Sequence, residues 1–167
     1  MKIFLIGLPG SGKTTLGKQL AERLNIRFVD LDTEIEKSEG ESIALIFKRF
    51  GEDHFRKAES TQLQKWANLN EDFVMATGGG APCFFDNMEV MNVAGTTIFL
   101  DVPAKEIAKR ISSQSASRPL LLNLSFEDLK DKIEFLRSQR KPFYRIAKHT
   151  CKGAAITLAD LEFVNEL

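Results

Sequence analysis

Two cysteines, two histidines, one tryptophan and one tyrosine are all that this 167-residue chain carries of those types. Cys83 and Cys151 stand far apart with no paired spacing. That argues against a disulfide framework and a thiolate zinc site, and fits a reducing cytosol. His54 and His149 have no second ligand at metal spacing and read as surface or helix-end residues. Charge of one sign is missing as well: 23 basic and 23 acidic residues leave a formal net charge of zero. Nothing in that balance marks a partner as nucleic acid or anionic membrane. Long apolar runs are absent. The first residues, MKIFLIG, are too short for a signal peptide, and no later run approaches the roughly 20 apolar residues of a membrane span. No repeat or low-complexity linker divides the chain. The expectation is one cytoplasmic domain over residues 1–167, monomeric, without nucleic-acid or membrane partners.

What the chain does have is an alternation of strand and helix patterns. Ile3 to Leu8 is an almost unbroken apolar run, as in a parallel strand buried on both faces. Leu16, Leu20, Ala21 and Leu24 then recur at helical spacing over Lys13 to Leu24. Arg27 to Asp32 reads as a second strand and Thr33 to Lys37 as a short helix. A helix over Ser42 to Phe50 stops at Gly51, and a longer one runs from Asp53 to Leu69. Phe73 to Thr77 and Thr97 to Val102 are further strands, and Ala104 to Ile111 a helix entered after Pro103. Ser112 to Leu124 has no period. Ser125 caps a helix of Phe126 to Arg140, and Thr157 with Asp160 reads as the N-cap of a terminal helix. Such alternation predicts a parallel sheet covered on both faces, with ligands beyond the carboxyl ends of the strands. Trp66 and the 13 phenylalanines read as core.

Chemistry-bearing residues gather at those strand ends. Gly7, four residues on, is followed by Gly12-Lys13-Thr14, the G-x-x-x-x-G-K-[ST] phosphate loop between a strand and a helix. Glycines let backbone N–H groups turn toward phosphates, and the following helix adds its positive N-terminal end. In such a loop Lys13 reaches the β- and γ-phosphates and the Thr14 hydroxyl ligates Mg²⁺. ATP is expected rather than GTP, since no Asn/Thr-Lys-x-Asp signature occurs. The loop names a donor and leaves the acceptor open.

Three stretches bear on the acceptor. In FVDLDTE, Asp30 and Asp32 form an Asp-x-Asp pair at the end of a strand, of which one can face the metal while the other reaches forward; acids at a strand end also cap the next helix. In HFRKAE, Arg56 and Glu59 share a helical face; such a pair is also an ordinary surface ion pair. In ATGGGAP, three glycines permit close approach of backbone to a bound molecule.

Together with SRPLL at Ser117 to Leu121 and RKPFY at Arg140 to Tyr144, these motifs make the chain resemble the shikimate kinase family from Lys2 to about Ala147. The resemblance implies a three-layer αβα sandwich of the P-loop kinase type. Its central five-stranded parallel sheet has the order 2-3-1-4-5, with a lid at about 112–124 and a substrate-binding helical segment at about 33–60. It implies transfer of the γ-phosphoryl of ATP to the 3-hydroxyl of shikimate, with one Mg²⁺. ATP would lie against Gly10, Ser11, Gly12, Lys13, Thr14, Thr15, Arg110 and Arg118. Thr14 would bind the metal directly and Asp30 through water. Asp32, Arg56, Gly78, Gly79, Gly80 and Arg140 would hold the acceptor, and Lys13, Asp32 and Arg118 would be catalytic. Arg110 matches the position that packs against adenine. After Ala147 the chain departs from the family pattern, without an Arg-x-Pro-like adenine contact. Cys83, just past the triple glycine, is expected to be a small packing residue.

Two other readings stay open from sequence: a gluconate or nucleoside monophosphate kinase of the same architecture, or a catalytically silent ATP-binding regulatory module.

Overall fold

The structure, a computed structural model, describes residues 1–113 and 125–166. Its centre is a parallel sheet of five strands: β1 (Lys2–Ile6), β2 (Arg27–Asp30), β3 (Phe73–Ala76), β4 (Thr96–Asp101) and β5 (His149–Lys152). Their spatial order is β2-β3-β1-β4-β5. β1 is flanked on both sides, Phe4 lying opposite Met75 of β3 and Thr97 of β4. Its apolar run follows from that position. Phe4 and Ile6 enter the core on one face, Ile3 and Leu5 the core on the other, and all four are fully buried.

Helices cover both faces, as parallel connections require. α1 (Lys13–Leu24) places Leu16 and Leu20 on the Ile3/Leu5 side, where Leu161 and Val164 of a C-terminal 3₁₀ segment (Leu158–Glu166) join them. α3 (Ile43–Asn68), α4 (Asn87–Ala94), α5 (Ala104–Ser113) and α6 (Phe126–Tyr144) contribute Leu63, Met91, Ile107 and Ile133 to the other core. α2 (Leu31–Glu39) packs beside α3. The break expected at Gly51 is present inside α3 as a left-handed residue (φ 80°, ψ 177°), and Ser42 caps the helix by accepting from the Leu45 N–H at 3.4 Å.

Several expectations are corrected. The second strand ends at Asp30, where the Asp30 carboxylate accepts from the Thr33 N–H and starts α2. Asp32 therefore sits in a helix's first turn rather than on the strand. α5 runs to Ser113, so residues 112 and 113 are helical, while the remainder of the stretch read as a lid, with Arg118, lies outside the described residues. α6 continues past Arg140 through Pro142 to Tyr144, whose side chain is fully buried and anchors the last turn. The terminal helix is 3₁₀; the Asp160 carboxylate accepts from the Thr157 N–H at 2.8 Å, one of the two bonds of the expected cap, while the Thr157 hydroxyl donates to the same carboxylate at 3.0 Å instead of accepting from a helix N–H. Trp66 is core, but Phe50, Phe85, Phe135 and Phe143 are exposed. His149 lies on β5, stacked on Phe163, and His54 pairs with Glu39 at 2.7 Å.

Gly95, between α4 and β4, has no room for a side chain: a Cβ there would collide with the Lys2 carbonyl oxygen and Cβ. Gly95→Ala is expected to destabilise the fold by about 1–3 kcal/mol, read as a lowered urea midpoint at unchanged slope.

Candidate active site

The loop after β1 bends through left-handed glycines, Gly10 at φ 82° and Gly12 at φ 97°, conformations that side-chain-bearing residues rarely adopt. Gly12 is also the N-cap of α1, so the helix opens directly onto the loop. Lys13 folds back over it, its Nζ donating to the carbonyls of Gly7 and Leu8 at 2.9 Å each. Burial lowers the Lys13 pKa from 10.5 to about 8, against the raising influence of Asp32 and, more weakly, Asp30.

The loop forms one wall of a cavity of about 550 Å³. Gly10, Ser11, Gly12, Lys13, Thr14 and Thr15 line it, joined by Asp30, Asp32, Gly78, Gly79 and Arg110. Thr14 Oγ1 donates to Asp30 Oδ2 at 3.2 Å, while Asp30 Oδ1 caps α2. The helix-capping alternative read from the sequence is thus the one observed, and the second carboxylate oxygen faces Thr14. Asp32 is open to the cavity, yet the protein around it displaces enough water to raise its pKa. Asp30 adds to that shift and Lys13 opposes it.

The triple glycine draws the remaining groups together. A Cβ on Gly78 would lie 2.8 Å from Glu59 Oε1 and 3.2 Å from Asp32 Oδ1. On Gly79 it would lie 2.7 Å from the Pro9 ring and 3.1 Å from Arg140 Nη1, and on Gly80 2.5 Å from Arg56 Nη2. Arg56 and Arg140 therefore stand against this backbone, whereas neither belongs to the wall of the large cavity. Arg56, only 8% exposed, donates to Glu59 Oε2 at 2.8 Å and to Glu52 at 3.3 Å from both Nε and Nη2. Glu59 is fully buried, and its Oε1 has no hydrogen-bond partner. Burial raises its pKa, with the Arg56 hydrogen bond and charge working against the shift. The Tyr144 hydroxyl donates to the Gly79 carbonyl at 2.5 Å, and burial pushes its pKa up. Buried Asp101 at the end of β4 accepts from Arg137 at 2.7 Å and pairs with Lys141 at 3.5 Å, fastening the turn of α6 that bears Arg140.

Arg110 closes the opposite end. It donates to the carbonyls of Gly10, Ser11 and Ala154, and pairs with Glu106 at 3.3 Å. Ile156 lines the cavity beside it. Sequence reasoning gave no role to Glu52, Gln19, Ile156 or Tyr144. Glu52 sits four residues before Arg56, a visible helical spacing; the wall positions of Gln19 and Ile156 have no signal in the linear order. Cys83 is half-buried and packs against the core, as expected.

A phosphate loop in a cavity lined by Asp30 and Asp32, with Arg56 and Arg140 standing against the adjoining glycines, is an arrangement suited to a small-molecule kinase. The comparisons narrow the class. A family model described as shikimate kinase matches residues 9–165. The chain is 47% identical over 152 residues to a shikimate kinase of Phocaeicola vulgatus, covering 91% of this chain and 86% of that one. Among solved structures, a shikimate kinase from Bacteroides thetaiotaomicron superposes with a TM-score of 0.90 at 36% identity, covering 99% and 97% of the two chains. The Acinetobacter baumannii shikimate kinase in complex with shikimate gives 0.84 at 33% identity, covering 99% and 94%. The chain belongs to the shikimate kinase family.

The lowered pKa of Lys13 carries a sign. Below about pH 8 the ammonium is present and attracts a triphosphate; above it, binding ATP has to return a proton to the amine. ATP binding is expected to take up protons near pH 8–9, and affinity to fall up to about tenfold per unit above pH 8. Calorimetry in buffers of different ionisation enthalpy reads the uptake. It should vanish in Lys13→Met.

Proposed function

We propose that this chain transfers the γ-phosphoryl of ATP to the 3-hydroxyl of shikimate, giving shikimate 3-phosphate and ADP in the biosynthesis of chorismate and the aromatic amino acids. The observation that carries the reading is the convergence of Asp32, Glu59, Arg56 and Arg140 on Gly78–Gly80, beside the phosphate loop. Shikimate is a ring with one carboxylate and several hydroxyls. Planar guanidiniums match a carboxylate with paired hydrogen bonds, and carboxylates accept from hydroxyls. The same reading has the enzyme act as a cytoplasmic monomer; among the described residues no helix is long and apolar enough to cross a membrane.

In this reading the loop amides from Gly10 to Thr15 and the start of α1 cradle the phosphates. Lys13 leaves the Gly7 and Leu8 carbonyls to neutralise charge on the β- and γ-phosphates. The Thr14 hydroxyl and the Asp30 carboxylate offer hard oxygen donors side by side, a set suited to Mg²⁺, which Thr14 would hold directly and Asp30 through water. Bound there with ATP, the ion supplies charge neutralisation to the phosphates. Arg56 and Arg140 hold the shikimate carboxylate, and the ring lies beside Gly78–Gly80, whose bare backbone lets these charged groups close in. Arg118, outside the described residues, is assigned to the transferring phosphoryl by family likeness, and Arg110 to the adenine.

Asp32 accepts the hydrogen bond of the 3-hydroxyl. As the oxygen–phosphorus bond forms and the bond to the β-phosphate oxygen breaks, the hydroxyl proton passes to the Asp32 carboxylate. Its raised pKa makes it a better proton acceptor than an ordinary aspartate. Phosphoryl transfer proceeds through a loose transition state, so placement and charge carry more of the catalysis than deprotonation does.

Asp32→Asn is expected to lower kcat by about 10²–10⁴-fold while ATP affinity survives. Because Asp32 must be ionised and its pKa is raised, kcat/KM for shikimate should climb with pH through a limb above the ordinary aspartate range, and that limb should disappear in the variant. ADP release measured with shikimate, gluconate and AMP tests the substrate. Rapid release with shikimate alone is expected. Comparable turnover of gluconate or AMP would favour the alternative kinases, and no release with any acceptor a silent ATP-binding module.

A further inference from the structure

Two carboxylates hold the edges of the Arg56 guanidinium, and an aromatic ring stands over it. The Phe84 ring centre lies 4.2 Å from Arg56 Cζ, with the Phe55 ring at 5.0 Å. Phe84 reaches that place through an unusual backbone. The chain leaves the triple glycine in a 3₁₀ turn (Ala81–Cys83), closed by the Cys83 N–H donating to the Gly80 carbonyl at 2.8 Å. Asn87, fully buried, donates from Nδ2 to the Ala81 carbonyl at 2.9 Å and fixes the turn from the other side. Phe84 is extended, and Phe85 then takes a left-handed φ of 49°, a strained conformation for an aromatic residue. The strain reverses the chain so that Phe85 faces solvent at 61% exposure while Phe84 turns in toward Arg56. Phe84 is half-buried and belongs to neither apolar core. The strained turn thus serves the contact with the guanidinium as well as the entry into α4, where the Phe84 carbonyl accepts from the Asn87 N–H at 3.4 Å.

We propose that Phe84 is a positioning residue for acceptor binding, its ring face orienting the Arg56 guanidinium toward the acceptor's carboxylate. This rests on the substrate reading above. An aromatic face attracts a cation through its quadrupole and takes none of its N–H donors. Glu52 and Glu59 fix the guanidinium by consuming donors; Phe84 fixes it while leaving the rest for a guest. Gly80 supplies the gap on the neighbouring side, where even a methyl group would strike Nη2.

The test compares Phe84→Met, similar in bulk without a ring, with Phe84→Trp, which keeps an aromatic face; Phe84→Leu replaces the first if it fails to fold. Phe84→Met is expected to raise KM for shikimate about tenfold, equivalent to about 1.4 kcal/mol, with KM for ATP and kcat within about twofold of the parent. Phe84→Trp should return KM for shikimate toward the parent value. A shikimate KM in Phe84→Met within twofold of the parent, or a rise in KM for ATP in step with it, overturns the proposal. So does an equal impairment in Phe84→Trp. Arg56→Ala, assayed alongside, separates the two levels. If it leaves KM for shikimate unchanged, the substrate role of Arg56 fails and Phe84's role with it. An impaired Arg56→Ala beside a neutral Phe84→Met removes the positioning role alone.

Discussion

The Arg56 guanidinium occupies the space that a side chain at position 80 would need, and the site's layout depends on that packing. A charged group so nearly buried is tolerable only when paired and hydrogen-bonded. Glu59 and Glu52 provide the pairing, and the bare backbone of Gly80 provides the room. A methyl group at that point would displace the guanidinium, and the buried Glu59 carboxylate would lose its partner.

The neighbouring glycines extend the same constraint to the rest of the pocket. Gly78 lets the carboxylates of Asp32 and Glu59, from α2 and α3, approach one stretch of backbone. Gly79 lies against Pro9 of the phosphate loop and Arg140 of α6, and its carbonyl receives the Tyr144 hydroxyl. Three residues after β3 thus lie against the phosphate loop and against charged groups of α2, α3 and α6. α6 is held in register independently, through Asp101 at the end of β4. Parallel-sheet topology explains the location: β1, β3 and β2 are neighbours, so the loops at their carboxyl ends open side by side.

Much of this was legible in the chain. The phosphate loop is contiguous, and its chemistry follows from local backbone geometry, so Gly12, Lys13 and Thr14 could be placed without coordinates. The strands around β1 announced themselves because burial on both faces demands an apolar run. β5 did not: it is a four-residue edge strand, HTCK, with only Cys151 buried, and it reads like loop. Asp32 was put on the wrong element because Asp30, two residues earlier, ends the strand by capping α2, the other reading that an acid at a strand end allows. Phe84 carried no signal, since its role comes from the strained turn at Phe85 and from a partner 28 positions away in sequence, Arg56.

Gly80→Ala, titrated with shikimate and separately with ATP by calorimetry, tests the central dependence most directly. If the guanidinium needs the bare backbone, shikimate affinity falls by about a hundredfold or more, near 2.7 kcal/mol, while ATP affinity and the folded state persist. Shikimate binding at parental strength in that variant would contradict the account.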